Sequence, residues 1–152
     1  MAADSATVHA SAVLVGARAV LIRGPSGAGK SRLALELLQA ARAGSLRFAR
    51  LVADDRVHLE ALGGRLLVRP PEALAGLIEV RGVGLLHDMY EACAVVGLVV
   101  DLAAPDAERL PAADARRTEI SGIRLPRLPV AKEAAALPAV LAVLTSAKSD
   151  WI

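Results

Sequence analysis

Aromatic side chains and cysteine are almost absent from this chain of 152 residues. Phe, Trp and Tyr make up 2% of it, whereas hydrophobic residues make up 55%, so its core has to be assembled from Val, Leu, Ile and Ala. The single cysteine, Cys93, excludes an internal disulfide and favours a reducing, cytoplasmic setting. Because Cys93 stands in the apolar run EACAVVG, we expect its thiol to be buried.

Long runs of one charge and long apolar runs are missing as well. The chain has 18 Lys and Arg against 16 Asp and Glu, a formal net charge of +2, and no basic run with interleaved aromatics, so nucleic-acid binding is not supported. The longest apolar stretches, 92–100 and 134–144, are shorter than the ~18 residues of a membrane span. Asp4 and the lack of a basic start argue against a signal peptide. We expect one domain over 1–152 and no membrane partner.

The remaining pattern mixes strands and helices and predicts an α/β fold. Apolar runs predict strands over 7–15, 18–23, 50–55 and 93–102, and glycines between 56–62 and 65–69 predict a hairpin. An amphipathic helix is predicted over 31–43. A short helix and a strand are expected within 72–86, an exposed mobile connection over 103–122, and a C-terminal helix over 132–147 that bends or restarts at Pro138.

The stretch IRGPSGAGKSRLAL, residues 22–35, contains the spacing G-x-x-x-x-G-K-S between a predicted strand and a predicted helix. This context is typical of a phosphate-binding loop, in which glycines turn backbone N–H groups towards an anion. Lys30 would reach the β- and γ-phosphates, and the Ser31 hydroxyl would bind Mg²⁺. The predicted nucleotide-binding residues are Gly24, Pro25, Ser26, Gly27, Ala28, Gly29, Lys30 and Ser31.

Acidic residues decide between a kinase, an NTPase and a nucleotide-powered ligase. Asp54 and Asp55 end an apolar strand, where one carboxylate could accept a proton and another could hold magnesium. Neighbours on a strand point opposite ways, so the two are not expected to share a role. Asp101, after the run GLVVDL, is a rival metal ligand. Glu79 and Arg81 are expected on one face of a strand.

Three segments together resemble the catalytic domain of HPr kinase/phosphorylase, a bacterial enzyme family that acts on a serine of the phosphocarrier protein HPr. They read VHASAVLVGARAVLIRGPSGAGKS, RLVADDRVHL and IEVRGVGLL. The resemblance implies a mixed sheet with a P-loop and flanking helices, akin to phosphoenolpyruvate carboxykinase. It also implies ATP and Mg²⁺ as cofactors, HPr as partner and a homo-oligomer, a hexamer in this family.

The resemblance also implies roles for individual residues. His9, Lys30, Asp54 and Arg109 would be catalytic, with Asp54 as the acid/base and Arg109 in the short segment AERL. Ser31 and Glu79 would be the magnesium ligands, by their match to the family's motif positions. The implied activity is ATP-dependent phosphorylation of a serine in HPr, together with the reverse, phosphate-dependent removal that releases pyrophosphate.

The chain departs from the family pattern in two respects. It begins just before the catalytic domain, as in the short single-domain forms of some proteobacteria. Its segment PVAKEAA, 129–135, lacks the glycine, arginine and asparagine of the family's P-V-x-x-G-R-N, so we expect a weakened reverse reaction. Two other functions stay open: a small-molecule kinase that uses Asp101 beneath a lid in 113–119, and a nucleotide-binding regulatory module without transfer activity.

Overall fold

A computed structural model of the chain describes residues 6–146. That range holds eleven β-strands and two α-helices. In chain order they are β1 Val8–His9, β2 Ser11–Val15, β3 Arg18–Arg23, α1 Lys30–Arg42, β4 Ala49–Ala53, β5 Arg56–Leu62, β6 Arg65–Arg69, β7 Leu77–Val80, β8 Gly84–His87, β9 Ala94–Asp101, β10 Arg117–Ile120, β11 Ile123–Pro129 and α2 Ala136–Thr145.

Most of the strands form one sheet that closes on itself. The order of paired strands is β1-β5-β6-β9-β3-β2-β4. β1 and β2 are consecutive segments of one bent strand, interrupted only at Ala10. Because β1 pairs with β5 and β2 pairs with β3, this strand joins the two parts of the order and closes the sheet into a ring. β3, β9 and β11 run parallel to one another, so their carboxyl ends lie at one edge of the sheet.

The alternation of side chains along the central strands supplies two apolar cores. Leu21 and Val99 point into the ring and pack with buried residues of β5 and β6. Ile22 and Val100, their neighbours in sequence, point outwards and pack beneath α1 and α2. Strands that are buried on both faces read as continuous apolar runs, which is why the sequence predicted them so readily.

Gly97 marks an irregularity that sets which residues of β9 face each core. Ala19 pairs with Val96 and Val20 pairs with Leu98, so Gly97 is an extra residue in β9. A Cβ atom on Gly97 would lie 2.6 Å from the Cβ of Arg18, closer than real contacts allow. The glycine therefore permits a β-bulge. After the bulge the side chains of β9 change faces, so that alternate residues from Leu98 onwards pack in the core beneath α1.

The structure confirms the predicted α/β class and the mixed sheet with flanking helices. It also confirms α1 and the β5–β6 hairpin, with bounds that differ from the predicted ones by at most one residue. The C-terminal helix begins at Ala136 instead of 132, and residue 147 lies outside the described range. Pro138 occupies its first turn, where no intrahelical N–H bond is lost, so it starts the helix without bending it.

Three other predictions were wrong. Cys93 is exposed, because it precedes β9 instead of lying in it. Arg81 lies in the turn between β7 and β8, so it does not share a strand face with Glu79. The expected mobile connection over 103–122 contains a short 3-10 turn and β10, which pairs with the unpredicted β11. Neither helix of the described chain is long and apolar enough to cross a membrane.

Candidate active site

The glycine-rich loop leaves β3 at its carboxyl end and leads directly into α1. Gly24, Gly27 and Gly29 have φ angles of 156°, 81° and 101°, which side chains other than glycine rarely adopt. A Cβ atom on Gly24 would also lie 3.1 Å from the Cβ of Leu102, at the end of the adjacent strand β9. The glycines are thus required by backbone conformation and by the close approach of two strand ends.

The first turn of α1 is suited to an anion. Gly29 caps the helix without a side-chain hydrogen bond, and the first turn contains no acidic residue. Its free N–H groups and the positive end of the helix dipole therefore point towards the loop without competition. Lys30 is 8% exposed, and its Nζ donates hydrogen bonds to the carbonyl oxygens of Gly24 (2.8 Å) and Pro25 (3.2 Å). The loop thus carries a cation of its own.

Asp54 connects the loop to the rest of the site. Its carboxylate is 6% exposed and accepts three hydrogen bonds. Oδ1 accepts from the hydroxyls of Ser31 (2.7 Å) and Ser11 (2.8 Å), and Oδ2 accepts from the backbone N–H of Glu79 (3.0 Å). A buried carboxylate with these donors is held firmly in place and fixes the Ser31 hydroxyl beside the helix N-terminus.

Ser11 is a site residue that the sequence reasoning missed. It is fully buried in β2, and its Oγ donates to Asp54 and accepts the backbone N–H of Asp55 at 3.1 Å. One hydroxyl therefore positions both neighbouring acids. The signal in the sequence was a lone polar residue in the apolar run ASAVLV, between the predicted histidine and the phosphate loop.

Asp55 has different surroundings from Asp54. Its φ angle is 68°, in the left-handed region, and its carbonyl oxygen accepts the N–H of Ala10 at 3.2 Å. The side chain is 63% exposed, and its Oδ1 lies 3.8 Å from Nδ1 of His9, which is itself exposed. Strained backbone of this kind persists where the surrounding structure fixes it, and it is common at functional sites.

Glu79 lies on β7 with its side chain exposed, and its backbone N–H brings it next to Asp54. No cluster of three or more His, Cys, Asp or Glu that could hold a metal is present among residues 6–146. Ser31, Asp54 and Glu79 nevertheless carry oxygen donors, the kind of ligand that magnesium prefers. This ion keeps several waters and takes only one or two protein carboxylates together with substrate phosphates.

Asp101, the rival metal ligand, is engaged elsewhere. Both of its oxygens accept hydrogen bonds from Arg23, and Oδ2 also accepts one from Arg127. Burial alone would raise the pKa of Asp101, but the two guanidinium groups outweigh it and hold that pKa below its ordinary value. Arg127 also binds the exposed Asp106. Asp101 therefore ties β3, β9 and β11 together at the edge where the loop begins.

Arg109, the remaining predicted catalytic residue, is exposed in the segment between β9 and the 3-10 turn at 114–116. No hydrogen bond or ion pair joins it to the loop or to Asp54 in the described part of the chain. The structure thus brings together the loop, Asp54, Asp55, His9 and the backbone of Glu79, and it leaves Arg109 outside this group.

A glycine-rich loop between a central strand and a helix, with a buried acid bonded to its serine, is the arrangement of an α/β domain of the P-loop class. The sequence profile of the HPr serine kinase C-terminal domain matches residues 1–144. The chain belongs to this family.

Individual relatives agree with the assignment. HPr kinase/phosphorylase of Streptococcus sanguinis is 36% identical over 137 residues, covering 83% of this chain and 42% of the relative. The same enzyme of Streptococcus pneumoniae (strain Hungary19A-6) is 39% identical over 138 residues, with the same coverage. The chain thus spans less than half the length of these relatives. The solved Hpr(Ser) kinase/phosphatase of Coxiella burnetii shares the fold, with a TM-score of 0.71 and 24% identity, over 92% of this chain and 88% of that one.

Proposed function

We propose that this domain is an ATP-dependent protein serine kinase that acts on the phosphocarrier protein HPr. The observation that carries the proposal is the junction of the phosphate loop with the acid pair. Ser31 donates to Asp54, and Asp55 follows in the chain with an exposed carboxylate. Membership of the HPr serine kinase family supports both the reaction class and the identity of the protein substrate.

The nucleotide is proposed to lie with its phosphates on the loop 24–31. The N–H groups at the start of α1 and the ammonium of Lys30 would bind the phosphate oxygens. The Lys30 ammonium bonds the carbonyl oxygens of Gly24 and Pro25, so it lies at the loop on which the phosphates are proposed to bind. Magnesium would be held by Ser31 and Glu79, and when bound it neutralises negative charge on the phosphates.

We assign the proton-accepting role to Asp55 in place of Asp54, the residue suggested by the family resemblance. Asp54 is buried, and three donors occupy its oxygens. Asp55 presents an exposed carboxylate, which a serine hydroxyl of a second protein can reach. Nδ1 of His9 lies 3.8 Å from Oδ1 of Asp55, close enough to help orient the Asp55 carboxylate. Asp54 then serves to position Ser31 and Ser11.

A protein substrate, as opposed to a small molecule, is supported by the surface next to the acids. The hairpin of β7 and β8 exposes apolar side chains at and beyond its tip, among them Val83 (66%), Leu85 (66%) and Met89 (69%). This hairpin contacts the site directly, since the Glu79 N–H bonds Asp54. Several large apolar side chains exposed on one hairpin, beside a reactive group, favour a surface that binds another protein.

The competing functions receive less support. A small-molecule kinase that uses Asp101 as its metal ligand would have to break the bonds of that carboxylate to Arg23 and Arg127. A regulatory module without transfer activity would not need the strained and exposed Asp55. We further propose one catalytic domain over the chain, a cytoplasmic location in line with its single cysteine, and a homo-oligomer, a hexamer by resemblance to the family.

The reaction is tested by incubating the full chain with ATP, Mg²⁺ and purified HPr, and by locating the phosphate on HPr by mass spectrometry. We expect one phosphoserine per HPr molecule. Lys30→Ala should abolish transfer, because the loop loses its cation, and Lys132→Ala, an exposed lysine outside the loop, should behave as the unchanged protein. Unaltered transfer in Lys30→Ala would refute the nucleotide site.

The proposal that HPr binds to the hairpin of β7 and β8 has a separate test. Leu85→Ser should raise the KM for HPr at least about fivefold and leave the KM for ATP unchanged, because a buried leucine contact is lost only in the complex. Leu62→Ser is the matched control, since Leu62 is 61% exposed at the far end of β5. Equal KM values for HPr in both variants would exclude the hairpin from the docking surface.

A further inference from the structure

A cavity of about 840 Å³ opens at the other end of the sheet from the phosphate loop. Its walls come from the turn after β2, the loop after α1, the β5–β6 turn, the starts of β9 and β11, and the last turn of α2. β3 begins at Arg18 in this cavity and ends at Arg23 beside the loop, so about 16 Å of strand separates the two places.

The cavity combines an apolar floor with a cationic rim. Its floor is formed by buried side chains of the two cores, among them Val20, Leu66 and Leu98, and Phe48 contributes the chain's one phenylalanine at its edge. The described residues that line it include four arginines and no aspartate or glutamate. The arginines are Arg18, Arg47, Arg65 and Arg124.

The guanidinium groups of these four arginines are available to a ligand in the described structure. All are exposed, and within residues 6–146 none of them makes a side-chain hydrogen bond or ion pair. Other arginines of the described chain form ion pairs with Asp or Glu side chains. Among them are Arg23, Arg42, Arg50, Arg69 and Arg127. Gly97 adds room, because its missing side chain lets the stem of Arg18 lie against the cavity wall.

We propose that this cavity binds a small amphipathic anion, a molecule with one carboxylate or phosphate head and an apolar body. A volume of about 840 Å³ is within the usual range of ligand sites. The apolar floor would take the body out of water, and the guanidinium groups at the rim would bind the head, often in bidentate fashion. Uncompensated positive charge around an apolar hollow favours an anion over a neutral or cationic ligand.

The probe for this site is decanoate, measured by titration calorimetry against the full chain at low salt. We expect saturable binding that tightens by about fourfold for each added methylene from hexanoate to decanoate, because each one removes apolar surface from water. Decanol, which has the same body without a charge, should bind at least tenfold more weakly. Equal affinities for decanoate and decanol would overturn the proposal.

Variants locate the binding. Arg47→Gln and Arg124→Gln should each weaken decanoate binding about fivefold to tenfold, and the double variant should weaken it more than either alone, since the head loses charge-assisted hydrogen bonds. Arg69→Gln removes an exposed arginine of β6 outside the cavity and should leave the affinity unchanged. Similar losses in Arg69→Gln and in the double variant would mean non-specific attraction and would refute the site.

Nucleotide distinguishes this cavity from the phosphate loop. Saturating ADP should leave the decanoate affinity unchanged within about twofold, because the two sites lie at opposite ends of β3. Displacement of decanoate by ADP would place the probe on the loop and overturn the proposal.

Discussion

Asp54 and Asp55 are adjacent in the chain but are fitted for different tasks. Asp54 is buried beneath three donors, and Asp55 is exposed in a left-handed conformation next to His9. The sequence pattern predicted that the two would not share a role, and the family resemblance assigned the acid/base role to Asp54. The role of each acid depends on whether internal hydrogen bonds occupy its carboxylate. The bend between β4 and β5 determines which of the two carboxylates is buried and which is exposed.

Exchanging each acid for its amide separates the two roles. Asp54→Asn should lower the free energy of unfolding by about 2 kcal/mol, because an amide nitrogen then faces buried donors. It should also raise the half-saturating Mg²⁺ concentration through the displaced Ser31. Asp55→Asn keeps a residue that tolerates the left-handed region, so the fold should be unchanged while serine phosphorylation drops by about 10²-fold or more.

Urea unfolding and initial rates of HPr phosphorylation measure both effects. The reverse outcome, an unstable Asp55→Asn and a stable but inactive Asp54→Asn, would return the proton-accepting role to Asp54.

Ser11 is predicted to act through both acids. Ser11→Ala removes a donor from Asp54 and leaves the Asp55 N–H without its acceptor. We expect a loss of about 1–3 kcal/mol in the free energy of unfolding. We also expect a kcat reduced about tenfold with the KM for ATP little changed, since Ser11 does not touch the loop. Ser45→Ala, in the exposed turn after α1, is the control. A kcat equal to that of the control would make Ser11 purely structural.

At the scale of elements, Asp101 is the tie among β3, β9 and β11. Removing one partner of a buried ion pair costs about 3–5 kcal/mol, so for the partly exposed Asp101 we expect Asp101→Asn to lose about 3 kcal/mol near pH 7. The lowered pKa of Asp101 sets the pH dependence. Its contribution is fully present above the ordinary carboxyl pKa of about 4, and it is lost as the pH falls through the lower folded-state value.

The difference in unfolding free energy between the unchanged protein and Asp101→Asn should therefore shrink from pH 5 to pH 2. Urea unfolding at several pH values measures it. A difference that stays constant over this range would show that Asp101 stabilises the sheet through something other than its charge.

The elements that the sequence predicted well are those with strong local signals. α1 has an apolar stripe and a glycine stop, and the β5–β6 hairpin has paired glycines at its turn. β10 and β11 were missed because Pro126, Pro129 and the charged residues between 117 and 127 disguise a hairpin whose partner, β9, lies far away in the chain. Cys93 was misplaced because an apolar run shows where a strand passes but not at which residue it begins.

The site shows the same division. The phosphate loop is a continuous motif and was predicted residue by residue, and the geometry of its glycines and of Lys30 is consistent with that prediction. Ser11 and the roles of the acid pair depend on contacts between β2, α1 and β7, which no local pattern reports. The catalytic assignments of His9, Lys30, Asp54 and Arg109 and the magnesium ligands Ser31 and Glu79 remain predictions. Asp55 is our proposed alternative to Asp54 as the proton acceptor.

At the scale of the whole molecule, the segment 131–135 bears on the balance of forward and reverse reactions. It is a turn that leads into α2, and Ala135 is the helix cap. We expect phosphorolysis to be slow relative to phosphorylation. Glu133 repels an incoming phosphate, and the segment 131–135 contains no arginine that could bind it. The triple variant Glu133→Gly, Ala134→Arg, Ala135→Asn should increase pyrophosphate release from phosphoseryl-HPr, and asparagine is also a good helix cap.

Pyrophosphate release by the unchanged protein at a rate comparable to the forward reaction would show that this segment does not limit phosphorolysis.

The central claim is that the loop and the acid pair transfer a phosphoryl group to a serine of another protein. The most direct measurement is ADP production from Mg²⁺ and ATP, with and without purified HPr. We predict that ADP forms when HPr is present, one molecule for each phosphoserine, and that Asp55→Asn stops ADP formation while ATP still binds. ADP formation at the same rate without HPr, or none under either condition, would contradict it.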